Sequence, residues 1–168
     1  MLFRSRSGLD EARRSVQALR PKALEDRTLS EALKYEANRL SEGGMLSCHF
    51  RQRGETQMLS PEPQNELFRI AQEALTNVNK HAQATSVWIN LTYSTRQVSL
   101  IIRDNGVGLT ATASAGPKRG YGFGTMRERA LRIGGQLEVK NHESGGTCVR
   151  VRLPLMATGK SIKSNQHP

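Results

Sequence analysis

The hydrophobic period of the chain changes on either side of residue 83, and this change limits the fold more than any other feature. From Ser60-Pro61 to about Ala82, the residues Leu67, Phe68, Ala71, Ala74, Leu75 and Val78 recur at the spacing of one helix face. Serine is a good N-cap, and proline is tolerated in a first turn whose backbone donors have no partner, so the helix is predicted to open there. From Val87 to Tyr93 the period becomes two: Val87, Ile89, Leu91 and Tyr93 alternate with Trp88, Asn90 and Thr92. That is the pattern of a strand with one buried face, and Val98 to Arg103 is apolar enough to be central in a sheet.

The remaining segments add further elements, and no internal repeat is present. Leu9, Ala12, Val16 and Leu19 predict a helix over 9–20, ended by Arg20-Pro21. A second helix is expected from about Leu24 to Leu40, closed by Gly43-Gly44. Met45 to Arg53 is expected to form a strand, Gly54-Glu55 a turn, and Thr56 to Leu59 a short returning strand. A helix carrying Met126, Ala130, Leu131 and Ile133 should stop at Gly134-Gly135, followed by a hairpin of Leu137 to Asn141 with Thr147 to Leu153. The small and polar stretch from Leu109 to Arg119 cannot bury much and is expected to be mobile; residues beyond Pro154 are expected to form a disordered tail.

Composition narrows the function classes. A chain of 168 residues with 36% hydrophobic content suits one domain with one modest core. No apolar run approaches bilayer length, and Met1 to Gly8 lack the apolar stretch of a signal peptide, so a soluble, cytoplasmic chain is expected. Cys48 and Cys148 lie far apart and suggest neither a disulfide framework nor a zinc site. The net charge of +10 would attract nucleic acid, anionic lipid or a nucleotide. With one Trp, three Tyr and four Phe, the chain lacks the interleaved aromatics and cations of a base-stacking surface, so nucleic acid is the weaker candidate.

Three groups of residues carry possible chemistry. Glu73, Asn77, Lys80 and His81 form a polar strip on one helix. An amide oxygen from Asn77 with phosphate oxygens would satisfy Mg²⁺, Lys80 and His81 would neutralise phosphate, and Glu73 would orient or deprotonate a nucleophile; the same strip would also suit a plainly solvated helix face. Asp104-Asn105-Gly106-Val107-Gly108 follows an apolar strand, where a carboxylate at a pocket floor would accept a hydrogen bond from the adenine amine and repel the guanine carbonyl; Asp-Asn-Gly is also ordinary turn chemistry. Gly120-Tyr121-Gly122-Phe123-Gly124 enters a helix N-terminus, a setting that favours phosphate. It is neither a Walker loop nor a dinucleotide or protein-kinase glycine loop.

Order and spacing of these groups bring in a family. EALTNVNKHA (Glu73 to Ala82) resembles the asparagine box of the GHKL ATPases, DNGVG (Asp104 to Gly108) their first glycine box and GYGFG (Gly120 to Gly124) their second. Within that superfamily LFRIAQEALTNVNKHA, GTMRERA and GGTCVRVRLPL resemble the sensor histidine kinases that signal to helix-turn-helix response regulators; the likeness spans roughly residues 9 to 155. The resemblance implies an α/β two-layer sandwich, with a mixed sheet of about five strands covered on one face by three main helices. It implies ATP and Mg²⁺ as ligands, Asn77 on the metal, Asp104 on adenine, Thr147 supporting that contact, and Glu73 as the catalytic carboxylate. Lys80 and His81 would lie near the phosphates. Gly106, Val107, Gly108, Leu109, Gly120, Gly122, Phe123, Gly124 and Thr125 would shape the nucleotide site, and Lys118 or Arg119 on a short lid would touch phosphate.

One departure accompanies the likeness. Residues 9–20 resemble only the end of the second helix of a dimerising hairpin, and no phosphoacceptor histidine precedes them. His49, His142 and His167 are expected to be ordinary surface residues. The division expected is therefore 1–22 as hairpin end and junction, 23–155 as ATP-binding domain and 156–168 as tail. The partners implied are a phosphoacceptor domain and a response regulator, with this chain alone monomeric and the intact kinase a homodimer. Another GHKL function, such as an anti-sigma serine kinase or an ATP-driven clamp, and a basic nucleic-acid-binding module are the competing readings.

Overall fold

The computed structural model describes residues 21–109 and 121–155. Its regular elements are α1 (Leu29–Glu42), β1 (Ser47–Arg53), α2 (Pro61–Asn77), β2 (Ser86–Tyr93), β3 (Gln97–Asp104), α3 (Tyr121–Arg132), β4 (Gln136–Asn141) and β5 (Thr147–Pro154), with a 3-10 turn at Lys22–Leu24 and a π turn at Val78–Ala82. The helix expected over 9–20, the stretch 110–120 and the tail lie outside the described residues.

The strands form one mixed sheet in the order β1-β2-β3-β5-β4, with β1 parallel to β2 and every other pair antiparallel. The alternation read from the sequence is seen directly: Val87, Ile89, Leu91 and Tyr93 of β2 and Val98, Leu100 and Ile102 of β3 are buried beneath the helices. Leu33 of α1, Leu67, Phe68 and Ile70 of α2, and Met126 of α3 complete the core from the helix layer. The expected two-layer sandwich of three helices on five strands is the architecture found. Among the described residues no helix is long and apolar enough to cross a membrane.

Two expectations about the first half differ from the structure. The first helix opens at Leu29, not at Leu24, because Thr28 and Glu31 form a capping box. The Thr28 side chain accepts from the Glu31 amide at 3.3 Å, and Glu31 Oε2 accepts from the Thr28 amide at 2.8 Å. Residues 56–59 are not a returning strand. Since β1 runs parallel to β2, the chain leaving β1 must cross into the helix layer before it can re-enter the sheet, and α2 is that crossover. Gly54 makes the exit with φ +77°, where a Cβ would stand 2.0 Å from the Tyr93 carbonyl oxygen.

Helix α2 opens at Pro61 as expected, although Ser60 makes no side-chain cap bond. Partway along it the buried Glu66 accepts from Arg129 and Arg132 of α3, each at 2.9 Å. This bridge joins α2 to the helix that carries the second glycine box. The α2 helix does not continue to Ala82 as a plain α-helix: its last residues widen into the π turn, which ends at Gln83 with the left-handed φ of 50°. Such turns are frequent at functional sites.

Candidate functional site

The π turn, the end of β3 and the start of β5 surround a cleft between the helix layer and the sheet. Its floor is Asp104, the last residue of β3 and 2% exposed. A buried carboxylate needs hydrogen-bond partners, and two backbone donors supply them: Gly106 N to Oδ1 at 2.8 Å and Thr147 N to Oδ2 at 3.2 Å. An ionised carboxyl has about four acceptor positions, so about two remain to meet a ligand. The contact with β5 is this close because Gly146 has φ +81° and no side chain; a Cβ there would stand 2.0 Å from the Asp104 carbonyl oxygen.

Apolar side chains form the walls. Ala74, Val78 and Ala82 line the cleft from the helix side, Ile102 and Val149 from the sheet, and Phe123 from α3. Val107, Gly108 and Leu109 close a third side, and Asn77, His81 and Thr147 add polar groups to the lining that Asp104 shares. An apolar slot with a few convergent polar groups is the form taken by most small-molecule sites.

The Asp-Asn-Gly segment is not a free turn. Asn105 Oδ1 accepts from the amides of Thr85 and Ser86 at 3.0 and 2.9 Å, while its Nδ2 donates to Thr85 Oγ1 at 2.9 Å. Val107 N donates to the Ala82 carbonyl at 2.8 Å, which ties the loop to the π turn. Gly106 must be glycine for this approach, since a Cβ would stand 2.0 Å from the Ala82 carbonyl oxygen. At the other end Leu109 N donates to Asn141 Oδ1 at 2.6 Å, and Asn141 Nδ2 donates back to the Leu109 carbonyl at 3.2 Å. Gly108, with φ +74°, makes room for that asparagine.

The structure brings eight of the sequence-predicted residues into the lining of this cleft. Asn77, His81, Asp104, Val107, Gly108, Leu109, Phe123 and Thr147 line it. Glu73 stands one turn before Asn77 and outside the lining; its Oε1 would lie 2.6 Å from a Cβ on Gly122, with Asn77 Nδ2 at 3.5 Å. Gly122 and Gly124 belong to the first turns of α3, because the helix begins at Tyr121 inside the glycine box and not after it. Among the described residues nothing lies within 4 Å of a Cβ on Gly124. Lys80 and Thr125 are exposed and do not line the cleft, whereas His81, also exposed, does. Lys118, Arg119 and Gly120 lie outside the described residues. Sequence reasoning missed Asn105 and Asn141 as the residues that fix the loop, and Ala74, Val78, Ile102 and Val149 as walls. The walls could have been found as core positions adjoining Asn77 and Asp104.

Comparison with known proteins places these features in a wider group. Residues 62–157 match the model of the family described as histidine kinase-, DNA gyrase B- and HSP90-like ATPase. The chain is 31% identical over 151 residues to the signal transduction histidine-protein kinase/phosphatase DegS of Brevibacillus brevis, covering 89% of this chain and 38% of that protein. It is 35% identical over 147 residues to the kinase/phosphatase UhpB of Salmonella typhimurium, covering 86% of this chain and 28% of that one. Over 101 residues it is 37% identical to the nitrate/nitrite sensor protein NarX of Escherichia coli, covering 60% of this chain and 17% of that protein. The chain thus spans well under half the length of these relatives. Among solved structures, the ATP binding domain of PrrB from Mycobacterium tuberculosis superposes with a TM-score of 0.63 at 22% identity, covering 76% of this chain and 94% of that one.

Proposed function

The chain belongs to the family of histidine kinase-, DNA gyrase B- and HSP90-like ATPases, and on that premise we propose that its cleft holds Mg-ATP for transfer of the γ-phosphoryl group to a histidine. In this reading the acceptor lies on a dimerisation domain of the same kinase, and the phosphoryl group passes next to a response-regulator aspartate. Residues 23–155 form the ATP-binding domain, 1–22 its junction to the hairpin, and the domain works in the cytoplasm. The kinase names of the relatives, matched over most of this chain, favour this branch of the family. The observation that carries the proposal is that Asp104 and Asn77, 27 positions apart in sequence, line one cleft with apolar walls between them.

Each residue then has a physical task. Adenine enters between Val78 and Ile102, and its exocyclic amine donates to a free lone pair of Asp104; a guanine carbonyl would face the same carboxylate and be repelled. Thr147 fixes the carboxyl through its amide, and its hydroxyl is available to the purine through water. The polyphosphate runs towards Asn77, His81 and the N-terminus of α3, whose amides and dipole favour negative charge. Gly122 and Gly124 keep that approach clear, and Lys80, Thr125, Lys118, Arg119 and Gly120 add contacts to the outer phosphates.

The donor set fits magnesium. An ion here would take one amide oxygen from Asn77 and complete its shell with phosphate oxygens and water, as Mg²⁺ prefers. When bound, it offsets the charge of the polyphosphate. Glu73, beside Asn77, is the carboxylate available to orient the acceptor nitrogen or hold its proton.

Titration of the chain with a fluorescent ATP analogue, with and without Mg²⁺, tests the proposal. Wild type should bind more tightly with Mg²⁺. Asn77→Ala should bind at least about tenfold more weakly, equivalent to about 1.4 kcal/mol, and respond little to the metal. An Asn77→Ala protein that binds and responds like wild type would remove the basis of the reading. Transfer of labelled phosphate to an added chain carrying the histidine hairpin would then test the catalytic step.

A further inference from the structure

The helices cover one face of the sheet, and among the described residues nothing covers the other. Strand alternation places Arg51 and Arg53 of β1, Arg103 of β3, Lys140 of β4, and Arg150 and Arg152 of β5 on that bare face. The register sets them in rows across the sheet: Arg51, Asn90, Ile101, Arg150 and Glu138 form one, and Arg53, Thr92, Ser99, Arg152 and Gln136 the next. Glu138 is the one carboxylate these strands put there, and it is already approached by Lys140 Nζ at 3.3 Å and Arg150 at 3.5 Å. The Nε atoms of Arg103 and Arg150 are also buried without a hydrogen-bond partner.

We propose that this face docks an acidic surface of a different protein, whose carboxylates enter the guanidinium array as Glu138 already does. Arginine in particular matches a carboxylate through paired N–H donors. The array reaches from β1 at one edge to β4 at the other, about 19 Å at about 4.8 Å per strand step, which is too broad for one small anion and suits a macromolecular surface.

Other occupants fit less well. Residues 1–20, 110–120 and 156–168 contain only Asp10 and Glu11 as acids, among several arginines and lysines, so no segment of this chain complements the face. A second copy brings the same net charge of +10. An anionic bilayer would meet a twisted sheet with no exposed large apolar side chain to insert, since Tyr35, Met45, Met58, Val107 and Leu131, the exposed large hydrophobics among the described residues, all lie outside the strands. For nucleic acid the face offers one indole, Trp88, which already stacks on His49 with centroids 5.8 Å apart and lies beneath the Arg103 guanidinium at 5.0 Å. The nucleotide cleft opens on the helix side of the sheet, so docking here and ATP binding are separate properties.

The experiment uses the full chain and a fluorescein-labelled polyglutamate peptide, with anisotropy read at physiological ionic strength. The face variant is Arg51→Gln/Arg53→Gln/Arg152→Gln. The control, Lys34→Gln/Arg69→Gln/Arg127→Gln, removes the same charge from exposed helix positions. The face variant should bind the peptide at least about tenfold more weakly, the control within about twofold of wild type, and both should keep the wild-type ATP affinity. In wild type, peptide-induced amide shifts should concentrate in β1, β3 and β5, a readout that needs no variant. Equal weakening in both variants, shifts confined to the helices, or tighter binding of phosphatidylserine vesicles or a single-stranded oligonucleotide than of the peptide would each overturn the proposal.

Discussion

Replacing Asp104 with asparagine separates the carboxylate's structural role from its proposed role in binding. The carboxylate accepts from two backbone amides on opposite oxygens, Gly106 on Oδ1 and Thr147 on Oδ2. A side-chain amide has one acceptor oxygen, so whichever way the substituted group turns, its NH₂ faces one of those N–H donors. The Asp104→Asn change therefore removes a hydrogen bond to a charged acceptor in a site 2% exposed, a loss of about 1.5–3 kcal/mol. For a chain of this length each kcal/mol lowers the melting temperature by about 2–4 °C, so the ligand-free protein should melt about 3–12 °C below wild type. The second effect appears on adding nucleotide. At a hundred times its dissociation constant, ATP should stabilise wild type by about 2.7 kcal/mol, and Asp104→Asn should lose most of that gain. Thermal unfolding of both proteins with and without Mg-ATP measures the two effects in one series. A ligand-free variant as stable as wild type would refute the latch between β3 and β5, and an undiminished ATP-induced shift would refute the contact with adenine.

The glycines give a second test because the fold restricts them unequally. Gly106→Ala drives a Cβ against the Ala82 carbonyl oxygen and should cost about 1–3 kcal/mol or more in urea unfolding. Gly124→Ala meets open space in a helix and should stabilise the ligand-free chain by about 0.5–1 kcal/mol. The same change should weaken ATP binding, if the helix N-terminus receives phosphate; unchanged binding would remove Gly124 from the site. Gln83→Gly should relieve the left-handed residue that ends the π turn and raise stability by up to about 1 kcal/mol, and a loss of stability would show that the Gln83 side chain supports the turn.

Much of the fold was legible because it rests on local periodicity. The two periods around residue 83 located α2, β2 and β3, and the burial pattern of each strand is the one its sequence alternates. Errors arose where a choice depended on a distant partner or on a local pattern that periodicity overrides. The capping box at Thr28 and Glu31 is present in the sequence, yet the apolar spacing extends the helix back to Leu24; that side chain is fully buried, but it belongs to a separate 3-10 turn. Composition permits a short strand after Gly54. What forbids it is the parallel pairing of β1 with β2, whose registers lie about 39 positions apart in sequence.

The site divides along the same line. Asp104 and Asn77 could be named because each belongs to a dense run of chemically distinctive residues, and the order of the runs restricts their meaning. Asn105 and Asn141 could not, although they hold the loop between the cleft and the following segment. Asn141 acts 32 positions from Leu109, through two bonds that exist only because β4 lies at the edge of the sheet beside β5. An asparagine before a hairpin turn is ordinary in sequence, and its task is set by where the strand order puts it. Residues that bind a ligand carry its chemistry in their own type. Those that place the binding residues need only a hydrogen-bonding group at the right point, so their role becomes visible only when the sheet is assembled.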